Sequence, residues 1–179
     1  MLTSDQLKKI MSDCPSAKLE LFAPYLNSAM TEGDISTVVR GAAFLAQLAH
    51  ESNQLQWWEE IADGSRYEGR ADLGNTVPGY GRKYKGHGPI QITGYKNHKA
   101  CGEALGLDLV TNPRLLCLPE NGFRGSVWFW TSHGLNAVAD QMAFRQVTFI
   151  VNGGYNGYEN RLAFYRRSLE VLGVTAKRG

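Results

Sequence analysis

The sequence contains no stretch of roughly 18 consecutive apolar residues, so no membrane-spanning helix and no stable membrane insertion are expected. It has only three cysteines, Cys14, Cys101 and Cys117. Their odd number and lack of CxxC or metal-ligand spacing argue against a disulfide framework and for free, buried thiols. The opening "MLTSDQLKKIMSDC" has no basic segment leading into an apolar one. A secretory signal peptide is therefore not expected, and cytoplasmic synthesis is. Charge of one sign is also lacking, the net value being +2. That charge is unevenly placed: residues 1–60 carry four basic and eight acidic side chains, and the remainder carries fifteen and nine. A basic second part suits an acidic polymer, although an ordinary mixed surface accounts for it equally well. No nucleic-acid partner is expected.

Several catalytic signatures are missing as well. His50-Glu51 would begin a zinc-protease HExxH, but Gln54 stands where the second histidine belongs. His87, His98 and His133 share no helix-face spacing with His50, so neither a metal nor a cofactor is expected. No G-x-S-x-G nucleophile elbow and no phosphate-cradling P-loop occur.

What is present suits an ordinary globular protein: 179 residues, 43% apolar and 20% charged. This length fits one catalytic domain over 1–179, with room for two lobes around a cleft, and a monomer is expected. Thr3 and Gln6 have capping-box spacing at a helix start. "AKLELFAPYLNSAM" reads as two short helices divided at Pro24. Asp34 or Ser36 is placed to cap a helix from about Thr37 to Gln54, apolar nearly all round and therefore buried. Residues 62–93 hold seven glycines and two prolines and read as an ordered loop with room for a short hairpin. Helical patterning resumes at "GYKNHKACGEALG", in "GFRGSVWFWTSHG", in "VADQMAFRQVTFIVNGG" stopped by Gly153-Gly154, and in "GYENRLAFYRRSLEVLG". The basic tail "RR…KR" reads as a solvated helix end with favourable cations at its C-terminus. The class is mainly α, with 62–93 as a cleft wall or second lobe.

Paired carboxylates are the chemistry this pattern permits. Glu51 ends the buried helix, where desolvation would favour the protonated form that a general acid requires. Glu59 and Glu60 follow eight and nine residues later. At 100° per residue, Glu51 and Glu60 would point in opposite directions on one helix, so the chain must turn near "NQLQ" if they cooperate. A glycosidase needs such a pair, one acid for the leaving oxygen and one base for water. "GPIQIT" reads as a short strand with Gln91 and Thr93 on one side. Trp57, Trp58, Tyr67, Tyr80 and Tyr84 lie between Glu51 and Gln91, and one or two of them could stack on sugar. Taken alone, Glu51 could equally be a buried structural carboxylate and Glu59 and Glu60 surface charges.

The set "AFLAQLAHES", "YEGRADLGN", "GRKYKGHGPIQITGYKNH", "NPRLLCLPENGFRGSVWFW" and "FIVNGGYNGYENRLAFY" resembles glycoside hydrolase family 19, which contains chitinases and many bacteriophage endolysins. The motifs run in order over about residues 35–170. The resemblance implies a mainly α, two-lobed, lysozyme-like fold with a groove, and single-step inverting hydrolysis of a β-1,4 glycosidic bond. It implies Glu51 as general acid, Glu60 as general base with Glu59 as its rival, and Thr93 as the hydroxyl that holds the attacking water. It further implies Gln91, Asn97 and Asn152 as substrate-binding positions, and Arg161 as an arginine near the second carboxylate; of the aromatics named above, Tyr84 is the one expected to bind substrate. His87 stands where arginine is commoner. The loops and disulfides of plant chitinases are missing, which fits a cross-linked mesh better than a chitin chain. The expectation is therefore a peptidoglycan-degrading endolysin of the compact phage branch, released to the periplasm through a holin-type partner, with a chitinase as the alternative.

Overall fold

The computed structural model describes residues 1–173. The end of the basic tail, Lys177 and Arg178, lies outside them. Helix α1 (Ser4–Ile10) begins as its capping box requires: Gln6 N–H donates to Thr3 Oγ1 at 3.1 Å and Thr3 N–H to Gln6 Oε1 at 3.0 Å. Helix α2 (Ser16–Glu32) is one helix, not the expected two. Pro24 sits on its exposed face, and the carbonyl deprived of a partner is that of exposed Glu20, which water can satisfy. The opposite face, with Leu19, Phe22, Leu26 and Ala29 buried, holds the helix together across the proline.

Helix α3 (Val38–Glu51) is capped by Thr37, whose Oγ1 accepts from Arg40 N–H at 3.2 Å. Asp34 and Ser36, the expected caps, instead hydrogen-bond each other, and Asp34 pairs with Arg40. Residues 41–49 of α3 are buried without a break. Phe44, Leu45 and Leu48 are wholly inaccessible, and burying each contributes about 1.5–3 kcal/mol.

The helix stops three residues short of Gln54 because Asn53, Gln54 and Leu55 all take left-handed backbone conformations, with φ of 47°, 59° and 62°. Such residues cost about 1–2 kcal/mol each. Tertiary bonds offset this. Gln54 hydrogen-bonds Asp13 twice, at 3.0 and 2.6 Å, and Trp58 Nε1 donates to Leu55 O at 3.0 Å. Trp58 itself packs between Phe22 and Phe123, at 4.9 and 5.0 Å between ring centres. The chain thus reverses where the phase of the two carboxylates requires.

Residues 59–93 contain two 3-10 turns (Ser65–Tyr67 and Ala71–Leu73) and the single-turn helix α4 (Tyr80–Lys83). Isolated antiparallel bridges join Glu59 to His87 and His87 to Ile92. "GPIQIT" is not a strand. Residues 87–92 close a tight turn through reciprocal His87–Ile92 backbone bonds of 3.0 and 2.9 Å, with Gln91 left-handed at φ 60°.

Helices α5 (Tyr95–Leu105), α6 (Pro119–Ser132), α7 (Leu135–Asp140), α8 (Phe144–Asn152) and α9 (Tyr158–Leu172) complete the chain. The segment expected as one helix before Gly153 is two, because Met142 is left-handed (φ 55°) between α7 and α8. This break lets Phe144 stack on Tyr165, with ring centres 4.2 Å apart. Gly153 ends α8 in a left-handed conformation, as its sequence position suggests. Helices α7, α8 and α9 pack on α3, α6 packs on α2, and α5 on α6. The architecture is mainly α, with one wall of irregular chain.

Candidate active site

Glu51, Glu60, Gln91, Thr93 and Asn152 line one open cavity of about 440 Å³, together with Arg66, Tyr67, Ile90 and Val151. Glu51 comes from the end of α3, Val151 and Asn152 from the end of α8, and the remaining residues from the irregular 60–93 wall. A smaller recess of about 250 Å³ shares Glu51, Glu60 and Gln91 and adds Trp57, Glu59 and Ile61. Trp57 and Ile61 are exposed there, 53% and 72% accessible, which provides an apolar surface beside the carboxylates.

Glu51 is not an isolated carboxyl in apolar surroundings. Its Oε1 accepts from Arg161 Nη2 at 2.5 Å, and Arg161 is only 1% accessible. Arg161 also donates to Gln47 Oε1, to Asn156 O at 3.3 Å and to Asn152 Oδ1 at 3.4 Å, and Gln47 Nε2 donates to Thr148 Oγ1 at 3.2 Å. Gln47 and Glu51 are four apart on α3, and Thr148 and Asn152 four apart on α8, so each pair shares a helix face toward Arg161 of α9. Arg161 therefore belongs to the first carboxylate and not the second. It lies behind the cavity, does not line it, and holds Glu51 and Asn152 together. His50 bonds Asn160 Oδ1 at 2.8 Å, and its ring lies where a Cβ on Gly157 would stand, 2.2 Å away.

Glu60 is held by backbone and by surface groups. Its Oε2 accepts from Gly86 N–H at 3.0 Å, while Glu60 N–H donates to Gly86 O at 2.8 Å. Oε1 accepts from Arg66 at 2.8 Å and from the Tyr67 hydroxyl at 3.2 Å. Burial raises the Tyr67 phenol above its ordinary pKa, so it stays a donor. A Cβ on Gly86 would fall 2.4 Å from Gln91 Oε1 and 3.3 Å from Glu60 Oε2, so any side chain there would displace the Gln91 amide and crowd the carboxylate. Glu59 is differently engaged, with Lys85 at 3.1 Å and Arg114 at 3.0 Å. Burial works against its charge, but these two cations outweigh that and hold its carboxyl below the ordinary pKa.

Thr93 Oγ1 donates to Gln91 O at 2.9 Å, which leaves its lone pairs to accept from a water in the cavity. Gln91 Nε2 donates to Gly88 O at 3.0 Å. Two expected substrate contacts lie elsewhere. Tyr84 is wholly buried, its hydroxyl donating to Val110 O at 2.8 Å and its ring packed on Tyr80, Tyr95 and His98. Apolar packing below the wall, and not sugar, explains this tyrosine. Asn97 does not line the cavity; its Nδ2 is committed to Thr93 O at 2.8 Å, just before the start of α5.

Sequence reasoning missed Arg66, Gln47 and Thr148, and offered Tyr67 only as an aromatic that could stack on sugar, not as a partner of Glu60. Only Gln47 left a signal, an amide in an apolar run one helical turn before Glu51. Cys14, Cys101 and Cys117 are all free thiols, the first two buried and Cys117 half-buried.

Comparison with known proteins places the chain in a family. The chain is 32% identical to an endochitinase of Solanum tuberosum over 96% of its own length and 66% of that protein's. It is 34% identical to a basic 30 kDa endochitinase of Solanum lycopersicum over 81% of its own length and 57% of the relative's. The chain thus spans less than two thirds of the length of these plant relatives. Its fold matches that of chitinase C from Streptomyces griseus with a TM-score of 0.79 at 23% identity, covering 99% of this chain and 78% of the other. Residues 18–143 match the family model described as chitinase class I. The chain belongs to glycoside hydrolase family 19.

Proposed function

We propose that the chain hydrolyses a β-1,4-linked, N-acetylglucosamine-containing glycan by inversion, with Glu51 as acid and Glu60 as base. The observation that carries this reading is the shared cavity, lined by Glu51 from the end of α3 and Glu60 from the irregular wall together with Thr93 and Asn152. Arg161 occupies Oε1 of Glu51, which leaves Oε2 to deliver a proton to the glycosidic oxygen. Glu60, surrounded by three donors, accepts a proton from a water that Thr93 also holds. The water oxygen bonds to the anomeric carbon as the glycosidic C–O bond breaks. The leaving oxygen keeps the Glu51 proton, and solvent then restores both groups. Glu59, already bound to two cations, is the poorer candidate for base.

Chitin is the substrate best supported, since the plant relatives are named endochitinases. The test is turnover of N-acetylglucosamine oligomers with the product anomer read by NMR. Glu51→Ala and Glu60→Gln should each lose roughly 10²–10⁴-fold in rate, and the wild type should release the inverted anomer. Near-normal turnover by Glu60→Gln with loss in Glu59→Gln would move the base to Glu59.

A second reading is a peptidoglycan endolysin, released from a cytoplasm through a holin-type partner to act in the periplasm. The exposed cations Arg66 and Arg114 beside the carboxylates favour it, because peptidoglycan carries acidic peptide stems. Clearing of permeabilised bacterial cells by the wild type but not by Glu51→Ala, with chitin oligomers left intact, would establish this reading over chitin.

A further inference from the structure

Two buried histidines lie behind the Glu60 wall and take no part in the chemistry above. His87 is 1% accessible and His98 is wholly buried, their rings edge to face with centres 5.2 Å apart. His98 Nδ1 lies 2.8 Å from Gly94 O, and His98 Nε2 lies 3.1 Å from His87 Nδ1. A carbonyl can only accept, so His98 carries its proton on Nδ1. Its Nε2 then accepts, and His87 must carry its own proton on Nδ1. Protons assigned in this way follow from the network. Burial lowers both rings to about 4, so the pair is neutral near pH 7. The charged groups facing His87 are Glu59, Lys85 and Arg114, with the Glu59 carboxylate already shared between the two cations. His98 faces the Tyr84 ring.

The chain on either side of this pair carries the water-handling groups. Gly86, next to His87, supplies the N–H that holds Glu60 Oε2. Thr93, next to Gly94, supplies the hydroxyl. His87 pairs with Ile92 through both backbone groups, and Gly88 N–H donates to Trp58 O at 2.7 Å. We propose that the His87–His98 pair is a positioning device that sets the separation between the Glu60 carboxylate and the Thr93 hydroxyl. The chain of bonds from His87 through His98 to Gly94 has a fixed direction and length, which an apolar pair of equal volume would not impose. The inference rests on Glu60 as the base and Thr93 as its partner.

Two substitutions separate the links. His98→Gln keeps an acceptor for His87, and His98→Asn keeps a donor for Gly94. Turnover of N-acetylglucosamine oligomers should fall roughly ten- to a hundredfold in each, mainly in kcat, as expected for a misplacement on the order of 1 Å. The decisive comparison repeats His98→Gln in a Glu60→Gln background. A device that acts through Glu60 should cost almost nothing further there, whereas a general loss of structure would multiply the two effects. If His98→Gln does not fold, His98→Asn carries the same cycle. Unchanged kcat in the folded variants, or an equal loss in both backgrounds, overturns the proposal. Normal turnover by Glu60→Gln alone would instead overturn the assignment of Glu60, so the two failures are distinguishable.

Discussion

Glu51 stands at the end of a helix buried on every side, whereas Glu60 stands in a segment with almost no regular structure. The helical carboxylate is tied to Arg161, which is 1% accessible and joins its own α9 to α3 and α8. The loop carboxylate is tied to the Gly86 backbone and to Arg66, whose side chain is 68% accessible. On one side, position comes from buried side chains that depend on one another. On the other, it comes from a backbone hook with one solvent-facing partner. The fold therefore ties Glu51, the proposed acid, into a buried network, and leaves Glu60, the proposed base, on a backbone hook with one partner open to solvent.

The comparison is broken most forcefully at Arg161. Replacing it by methionine removes the guanidinium and leaves Glu51, Gln47 and Asn152 without their common partner. Breaking a buried pair in this way should destabilise the chain by about 3–5 kcal/mol, read from urea unfolding. A loss below about 1 kcal/mol would mean that the helical side is no more tightly determined than the loop.

Acid tests the wall behind Glu60. Burial lowers His87 and His98 from 6.5 to about 4. As pH falls below 6.5, the unfolded chain binds protons that the folded pair does not. The stability these rings contribute is therefore complete above pH 6.5 and is lost as pH falls toward 4. The slope is about 1.4 kcal/mol per pH unit for each ring that stays neutral. Urea midpoints at pH 7 and pH 5 measure it, and His98→Gln should flatten the slope. An unchanged slope in that variant would remove the pair as its source.

Gly86→Ala acts on the hook itself. Its new Cβ would displace the Gln91 amide, the flexible end of a side chain, and crowd Glu60 Oε2. Stability should change little, while kcat should drop by roughly tenfold, equivalent to about 1.4 kcal/mol of barrier. Steady-state kinetics beside a melting curve separate the two effects.

The helical side was the more legible in the sequence, for a physical reason. A period of 3.6 placed the buried helix and its terminal carboxylate, and the phase difference between Glu51 and Glu60 required a turn. The means of turning was hidden. Asn53 is an ordinary left-handed residue, but Gln54 and Leu55 adopt that conformation only because Asp13 and Trp58 hold them. Pro24 misled in the opposite direction, since a local rule for breaking helices gave way to a buried apolar face. Arg161 was matched to the wrong carboxylate because a contact across 110 positions leaves no periodic trace. Arg66 and Tyr67 reach Glu60 through a 3-10 turn that no pattern in "ADGSRYEG" announces.

The smallest expected effect falls on the exposed partner of Glu60. Arg66→Ala removes one ion pair that water already screens, so stability should change by less than about 1 kcal/mol. Tyr67 and the Gly86 amide still donate to the carboxylate, so its position should survive. What changes is the charge at the cavity mouth. If the glycan is a neutral chitin chain, KM should barely move and should not respond to salt. If it carries acidic stems, the variant should bind more weakly at low ionic strength, and the difference should shrink as salt rises. A stability loss as large as that for Arg161 would show that the exposed partner matters as much to the fold as the buried one.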